Sequence, residues 1–353
     1  MIRALLFLLL PFTAQAETLR IATFNTELSR DGPGLLLRDI RGGDRQVMDV
    51  VSVIAAAAPD VIALQGIDWD FNGLALQALA ERLAEAGAQY PHRFSRQPNA
   101  GLETGLDLDG DGRLHGPGDA QGWGQYTGQG GLAVLSRYPI ADREARDFSG
   151  LLWRDLPGAR LPETDGRPFP SPDAQAAQRL SSTAHWVVPI DAPSGRFELL
   201  TFHAAPPVFD GPEDRNGLRN RDELRLWQVF LDGALGPGPD GRFVIAGDAN
   251  LDPKDSEGHT AVMQGLLSDP RLQDPRPRSD GAAQAGPQGH RAPDDLDTVD
   301  WDGAGRLRVD YVLPSAGWRV VGAGVHWPAP DQEGHDTASR ASRHRLVWVD
   351  LAR

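Results

Sequence analysis

The chain contains no cysteine, so disulfides, thiolate zinc sites, cysteine nucleophiles and a lipid-modified cysteine are all excluded. It is short of positive charge: 35 Lys and Arg stand against 49 Asp and Glu, a formal charge of −14 at pH 7. Such a surface repels a polyanion at long range, so binding one requires a local arginine cluster or a divalent cation. Beyond the first residues there is no apolar run long enough for a membrane span. Nor is there an internal repeat, a Gly/Ser linker between two composition regimes, or a stripe of aromatic and basic residues suited to single-stranded nucleic acid.

What the chain does have is core-forming sequence. With 353 residues, 40% hydrophobic and 24% charged, it suits a globular protein with a large core. Residues 1–16 are set apart: Arg3 supplies a basic start, residues 4–10 are apolar, and Ala14-Gln15-Ala16 is a small-residue cleavage signal. The expectation is export to the periplasm or the extracellular space, with cleavage after Ala16. Residues 17–353 then form a single domain, expected to be a monomer, with 34 basic and 49 acidic residues and a charge of −15.

Strands and helices alternate early in the chain, which favours a layered α/β domain. Residues 19–25 read as a strand ending in Asn25-Thr26-Glu27, and residues 45–58 as a helix stopped by Pro59. Residues 61–64 form a short apolar strand followed by Gln65-Gly66-Ile67-Asp68, and residues 74–86 a second amphipathic helix. Residues 97–130 are rich in Gly and Asp without periodicity, a loop of the length that usually carries function or a ligand. Residues 131–136 resume as a buried strand, and residues 154–178 read as a Pro-rich surface excursion. Residues 181–189 and 196–203 pattern as an antiparallel pair ending on His203. A charged loop over residues 206–221 and a helix over residues 222–231 come next.

The stretch Gly247-Asp248-Ala249-Asn250 closes the apolar run Phe243-Val244-Ile245-Ala246. An acid and a carboxamide two residues apart project to the same side of an extended chain, where both can face one ligand. An Asx-type turn fits the local pattern equally well. A polar loop over residues 269–297, a strand over residues 307–313 and a terminal strand over residues 342–350 complete the chain.

Taken together, these segments resemble the endonuclease/exonuclease/phosphatase (DNase I-like) family. The resemblance rests on a strand ending in Asn25, the Pro59 to Gln65 strand, GLAVLSRYP at residues 131–139, and the strand ending in His203. Gly247 to Asn250, Val309-Asp310-Tyr311 and a terminal Ser-x-His follow in order. It implies a four-layer α/β/β/α sandwich of two mixed sheets flanked by helices. Asn25 and Glu27 would then help hold Mg²⁺ or Mn²⁺, Asp248 would orient or deprotonate water, and Asn250 and His203 would face a phosphate. His344, oriented by Asp310, would be the acid/base or charge-stabilising histidine.

Two positions depart from that family. After Leu64-Gln65, where the family has a metal-binding glutamate, this chain has Gly66, and before the terminal histidine, where it has aspartate, this chain has Arg343. Together they make the site more positive by about three charges and weaken metal binding. Asp68 is a possible substitute carboxylate, and Arg343 a possible phosphate ligand in the metal's stead.

Asp107, Asp109 and Asp111, with Gly112 at the sixth position, match the first half of a calcium loop, while the twelfth position is Gly118 and Asp119 comes one place late. Arg215, Arg219 and Arg221 are open to two readings, a phosphate grip or pairing with neighbouring acids. The function expected is an exported, metal-dependent hydrolase of a phosphodiester or phosphomonoester, with nucleic acid as one substrate class and activity weakened at the metal. A non-catalytic phosphate-ligand binder on the same fold, a pseudoenzyme, is the alternative.

Overall fold

A computed structural model describes residues 18–353; the export signal expected at residues 1–16 lies outside the described residues. In chain order the first strands are β1 (Leu19–Leu28), β2 (Val61–Ile67), β3 (His92–Phe94), β4 (Gly131–Ser136) and β5 (Arg146–Asp147). A small hairpin, β6 (Glu163–Thr164) and β7 (Arg167–Pro168), precedes β8 (His185–Ala192), β9 (Gly195–His203) and β10 (Phe243–Asp248). A second hairpin, β11 (Val299–Trp301) and β12 (Gly305–Leu307), leads to β13 (Asp310–Pro314), β14 (Arg319–His326) and β15 (Leu346–Ala352). The helices are α1 (Leu35–Gly42), α2 (Arg45–Ala57), α3 (Leu74–Glu85), α4 (Pro172–Ala177), α5 (Arg215–Leu231), α6 (Ala261–Leu267), α7 (Asp280–Gln284) and α8 (His335–Ala341).

Two mixed sheets face each other, one in the order β14-β15-β1-β2-β4-β3 and the other in the order β13-β10-β9-β8-β5. Each contains one parallel pair, β1 with β2 and β9 with β10. Strand alternation sorts the apolar side chains into three layers. Ile21, Val61, Ala63, Val134, Val188, Leu199, Val244, Ala246, Val312 and Val347 fill the space between the sheets. Phe24, Ile62, Leu64 and Leu135 pack outward under α1, α2, α3 and α8. On the far side Leu200, Phe202, Ile245 and Tyr311 pack under α5 and α6 through Leu224, Trp227, Phe230 and Met263. The result is the α/β/β/α sandwich expected.

Local signals explain several boundaries. Asp44 caps α2 by accepting the Val47 N–H at 3.2 Å, and Ala58, at φ 48°, turns the chain out before Pro59. Helix α5 begins at Arg215, seven residues ahead of the expected start, because its first turns bury polar side chains and so lack an apolar stripe. Arg219, Asn220, Asp222 and Glu223 are all buried. The Glu223 carboxylate accepts the Ser182 and Ala205 N–H groups at 2.6 and 2.7 Å.

Arg219 is structural. Its guanidinium donates to the carbonyls of Leu180 at 2.8 Å, Arg179 at 2.9 Å and Ser181 at 3.1 Å, and also to that of Gln121. Arg215 donates to the Leu108 carbonyl and Arg221 to Asp222. Arg215 and Arg219 tie α5 to the long loop, Arg219 also to the segment ahead of β8, and Arg221 pairs within α5; a phosphate grip at Arg219 is ruled out by its burial at 3% exposure. Replacing Arg219 with Met leaves the Leu180, Gln121 and Arg179 carbonyls without this donor, while Ser181 keeps Asn99, and is expected to cost about 3 kcal/mol of stability, read by urea unfolding. An unchanged midpoint would show that the loop does not depend on it.

Candidate functional site

Period-two alternation builds the site. Val244 and Ala246 of β10 face the layer between the sheets, so Asp248 does too. The same parity turns His203 of β9 and Asp310 of β13 into that layer, and from the opposite sheet Asn25 of β1 and Gln65 of β2. Register brings them level: Asp248 pairs with His203 on one side and Asp310 on the other, and Asn25 pairs with Gln65. One end of an otherwise apolar layer is thus polar, with both sheets contributing.

Asp248, fully buried, is the hub. Its Oδ2 accepts a hydrogen bond from Asn25 Nδ2 at 2.9 Å, across the gap between the sheets. The same oxygen lies 3.4 Å from His203 Nε2 and 3.8 Å from His344 Nδ1. Its Oδ1 accepts the Asn250 N–H at 2.8 Å. Asn250 sits just past the strand at φ 50°, and its Nδ2 donates to the Ala204 carbonyl at 2.9 Å. The Asx-type turn and the site are therefore one structure: the turn holds the carboxylate in place.

His344 is gripped by Asp310, whose carboxylate oxygens lie 3.0 and 3.2 Å from Nδ1. Asp310 is held in turn by Thr298. The hydroxyl donates to Asp310 Oδ2 at 2.9 Å and accepts the N–H groups of Val309 and Asp310, each at 3.0 Å. The Trp301 ring stands edge-on to His344, with centroids 5.5 Å apart. Neither Thr298 nor Trp301 carries a sequence signal, since both act through a hairpin folded back onto the terminal strand by the Val299–His344 bridge.

The two histidines are set to opposite charge states. Burial pushes His203 below its ordinary value, against the pull of Asp248, so it is neutral near pH 7. Burial also disfavours charge on His344, but Asp310 and Asp248 outweigh it and push its pKa up to about 9. Burial and the nearby Asp310 raise Asp248, opposed by His344 and His203. His203 Nδ1 is buried without a hydrogen-bond partner among the described residues, leaving one ring nitrogen uncommitted inside the site.

The expected metal end is built differently. Glu27, at φ 49°, gives its carboxylate to Arg343: Oε2 accepts the Arg343 N–H at 2.8 Å, and Oε1 accepts Nε at 2.7 Å and also Nη2. Ser342 Oγ donates to Oε2 at 3.1 Å. Arg343 holds the Glu27 pKa below its ordinary value despite burial, so Glu27 stays ionised. Asn25 Oδ1 already accepts the Glu27 N–H at 3.2 Å.

Gly66 adopts φ 66°, and a Cβ there would overlap Asn25 Oδ1 and lie 3.1 Å from the Glu27 nitrogen. No side chain fits that position without displacing Asn25. Asp68 is not the substitute carboxylate. Its oxygens accept the Arg30 N–H at 3.0 Å, the Tyr126 hydroxyl at 2.6 Å and the Gly130 N–H at 2.9 Å, which anchors the loop. A divalent ion therefore does not fit the Asn25–Glu27 end, whose lone carboxylate is already neutralised.

Among the described residues, two groups bring ligand atoms within 4.8 Å of one another: Asp248 with Asp310 and His344, and Asp107 with Asp109 and Asp119. At the first, a cation would have to displace the His344 proton. The second differs in membership from the calcium loop expected at Asp107, Asp109 and Asp111. Asp111 turns aside to accept the Arg113 N–H at 2.7 Å, and Asp119, buried and accepting the Leu108 and Gly116 N–H groups at 3.0 and 2.8 Å, takes its place.

Because His344 is raised in the fold, its charged form contributes stability that is fully present below the unfolded value of about 6.5 and lost as pH rises through about 9. Unfolding free energy is expected to fall between those limits in the wild type, and less in His344→Gln. Parallel curves for the two proteins would show that His344 does not carry the charge.

The family model described as "Endonuclease/Exonuclease/phosphatase family" matches residues 22–344. A family protein from Beutenbergia cavernae DSM 12333 is similar in structure, with 20% identity, coverage of 95% of this chain and 71% of that one, and a TM-score of 0.55. Another from Leptotrichia buccalis C-1013-b shows 16% identity, covers 95% and 100%, and has a TM-score of 0.53. No curated protein matches the chain in sequence. With the strand-end residues in place and the family match spanning nearly the whole chain, this protein belongs to the endonuclease/exonuclease/phosphatase family of phosphoester hydrolases.

Proposed function

We propose that the protein is an exported hydrolase of a phosphodiester or phosphomonoester, acting at Asp248, Asn250, His203, Asp310 and His344. The observation that carries this reading is the contact between Asn25 of one sheet and Asp248 of the other at 2.9 Å, within reach of two histidines in opposite charge states. Asp248 accepts the proton of an attacking water, and its raised pKa makes it a better base than a solvated carboxylate. The His344 imidazolium, fixed by Asp310, offsets charge on the phosphoryl oxygens in a water-poor setting where such compensation is strongest. Neutral His203 and the Asn250 amide contact the phosphate group.

The charge of the whole chain, −14, disfavours a long polyanion, so a compact phosphoester is preferred over extended nucleic acid. Export rests on residues 1–16 of the sequence. The family's divalent ion, Mg²⁺ or Mn²⁺, finds no free carboxylate at the Asn25–Glu27 end, because Glu27 is spent on Arg343. That same contact favours a second reading, a phosphate-ligand binder without turnover.

The two readings separate on bis-nitrophenyl phosphate and nitrophenyl phosphate, assayed with Mg²⁺, Mn²⁺ or chelator. Turnover is expected in the wild type, and Asp248→Asn and His344→Gln are each expected to lower kcat by about a hundredfold or more. A wild type that binds phosphate but turns over neither substrate supports the binder.

We also assign calcium to Asp107, Asp109 and Asp119, where it would brace the loop between β3 and β4. Burial raises Asp109, with Asp111 and Asp119 adding to the effect, so a cation would relieve crowded carboxylates. Calcium is expected to raise the melting temperature of the wild type and not of Asp119→Asn. The absence of binding heat in calorimetry removes this assignment.

A further inference from the structure

The end of the site where Glu27 and Arg343 meet already holds a fixed positive charge. Glu27 engages one edge of the guanidinium through Nε and Nη2, and its other oxygen takes the Arg343 N–H and Ser342 Oγ. A carboxylate with both oxygens committed orients an arginine in the way a packed ligand shell orients a metal. The opposite edge carries no hydrogen bond: Arg343 Nη1 has no hydrogen-bond partner among the described residues, the side chain is 61% exposed, and Asp302 acts on it through space alone.

This cation is wired to the reacting end. Glu27 donates its N–H to Asn25 Oδ1 at 3.2 Å, Asn25 donates to Asp248 at 2.9 Å, and Arg343 precedes His344 in the chain. Charge arithmetic agrees. Gly66 removes one negative charge relative to the family pattern, and Arg343 removes a second and adds a positive one. The change of three charges exceeds the two that a divalent ion brings. The ion and the arginine are alternatives, because a guanidinium bound to the same carboxylate repels an incoming cation.

We propose that Arg343, held by Glu27, is the standing cation of this site and takes an anionic phosphate oxygen through its free Nη1 edge, with no divalent ion required. The proposal rests on the reading of Asp248 and His344 as the phosphoester site. A guanidinium suits the task because it keeps its charge at any physiological pH and offers two parallel donors to a phosphate.

Calorimetric titration of inorganic phosphate into the protein tests this apart from turnover. Binding is expected in EDTA, to change less than about threefold when Mg²⁺ replaces the chelator, and to weaken about tenfold or more in Arg343→Gln. Arg343→Lys is expected to fall between the two, since an ammonium keeps the charge and loses the fork. Both variants change an exposed side chain, and superimposable melting curves confirm intact folding. Binding that needs Mg²⁺, or that is the same in Arg343→Gln as in the wild type, overturns the proposal. If phosphate binding depends on Arg343 but no substrate is turned over, the hydrolase reading fails and the standing cation survives. If turnover requires Mg²⁺ and phosphate binding ignores Arg343, the hydrolase reading survives and the standing cation fails.

Discussion

Two carboxylates, Asp248 and Asp310, face each other across paired strands with no exposure to solvent. Like charges so placed in a medium of low dielectric repel strongly, and neither is solvated by water. Much of the surrounding structure compensates that pair. Asn25 reaches over from the other sheet, Asn250 closes a turn on Asp248, Thr298 saturates Asp310, and the imidazolium of His344 lies near both. The groups that make the pair tolerable are also the ones that prepare it for phosphoester chemistry. Stability and function share one set of bonds here.

The sandwich makes this arrangement possible because two sheets packed face to face bring strand ends of distant sequence to one line. The Asn25–Asp248 bond joins residues 223 apart, and the Ser342–Glu27 bond residues 315 apart. Helix α5 and the long loop then close the outer side of the second sheet, using buried arginine and glutamate where most domains use apolar side chains. Such polar packing is costly unless every donor is matched, and Arg219 and Glu223 satisfy the loop carbonyls and amides around them.

At the other end of the site the balance runs differently. Gly66 leaves no room for a side chain beside Asn25, and Glu27 pairs with Arg343. The two departures from the family pattern are therefore coupled. Where one carboxylate is missing and a guanidinium has arrived, the remaining acid serves the guanidinium.

Much of the fold and of the site was legible in the sequence, because both are written in local period. Alternation announced β1, short apolar runs announced β2, β4 and β10, helical stripes announced α2 and α3, the polar side chains closing strands marked Asn25, His203 and Asp248, and the family pattern marked Asp310. Short or polar elements were not legible: α8 has no apolar stripe to read, and the first turns of α5 bury charge. Nor could local pattern say that Asp68 would be drawn to Tyr126, that Asp119 would come to lie beside Asp107 and Asp109, or that Thr298 would hold Asp310. Sequence by itself determined which way each side chain leaves its strand, since that follows from backbone geometry one residue at a time. Only tertiary structure decided which of those side chains meet, and so gave Glu27 to Arg343, because that choice depends on how two sheets pack and on which charges are then left to neutralise each other.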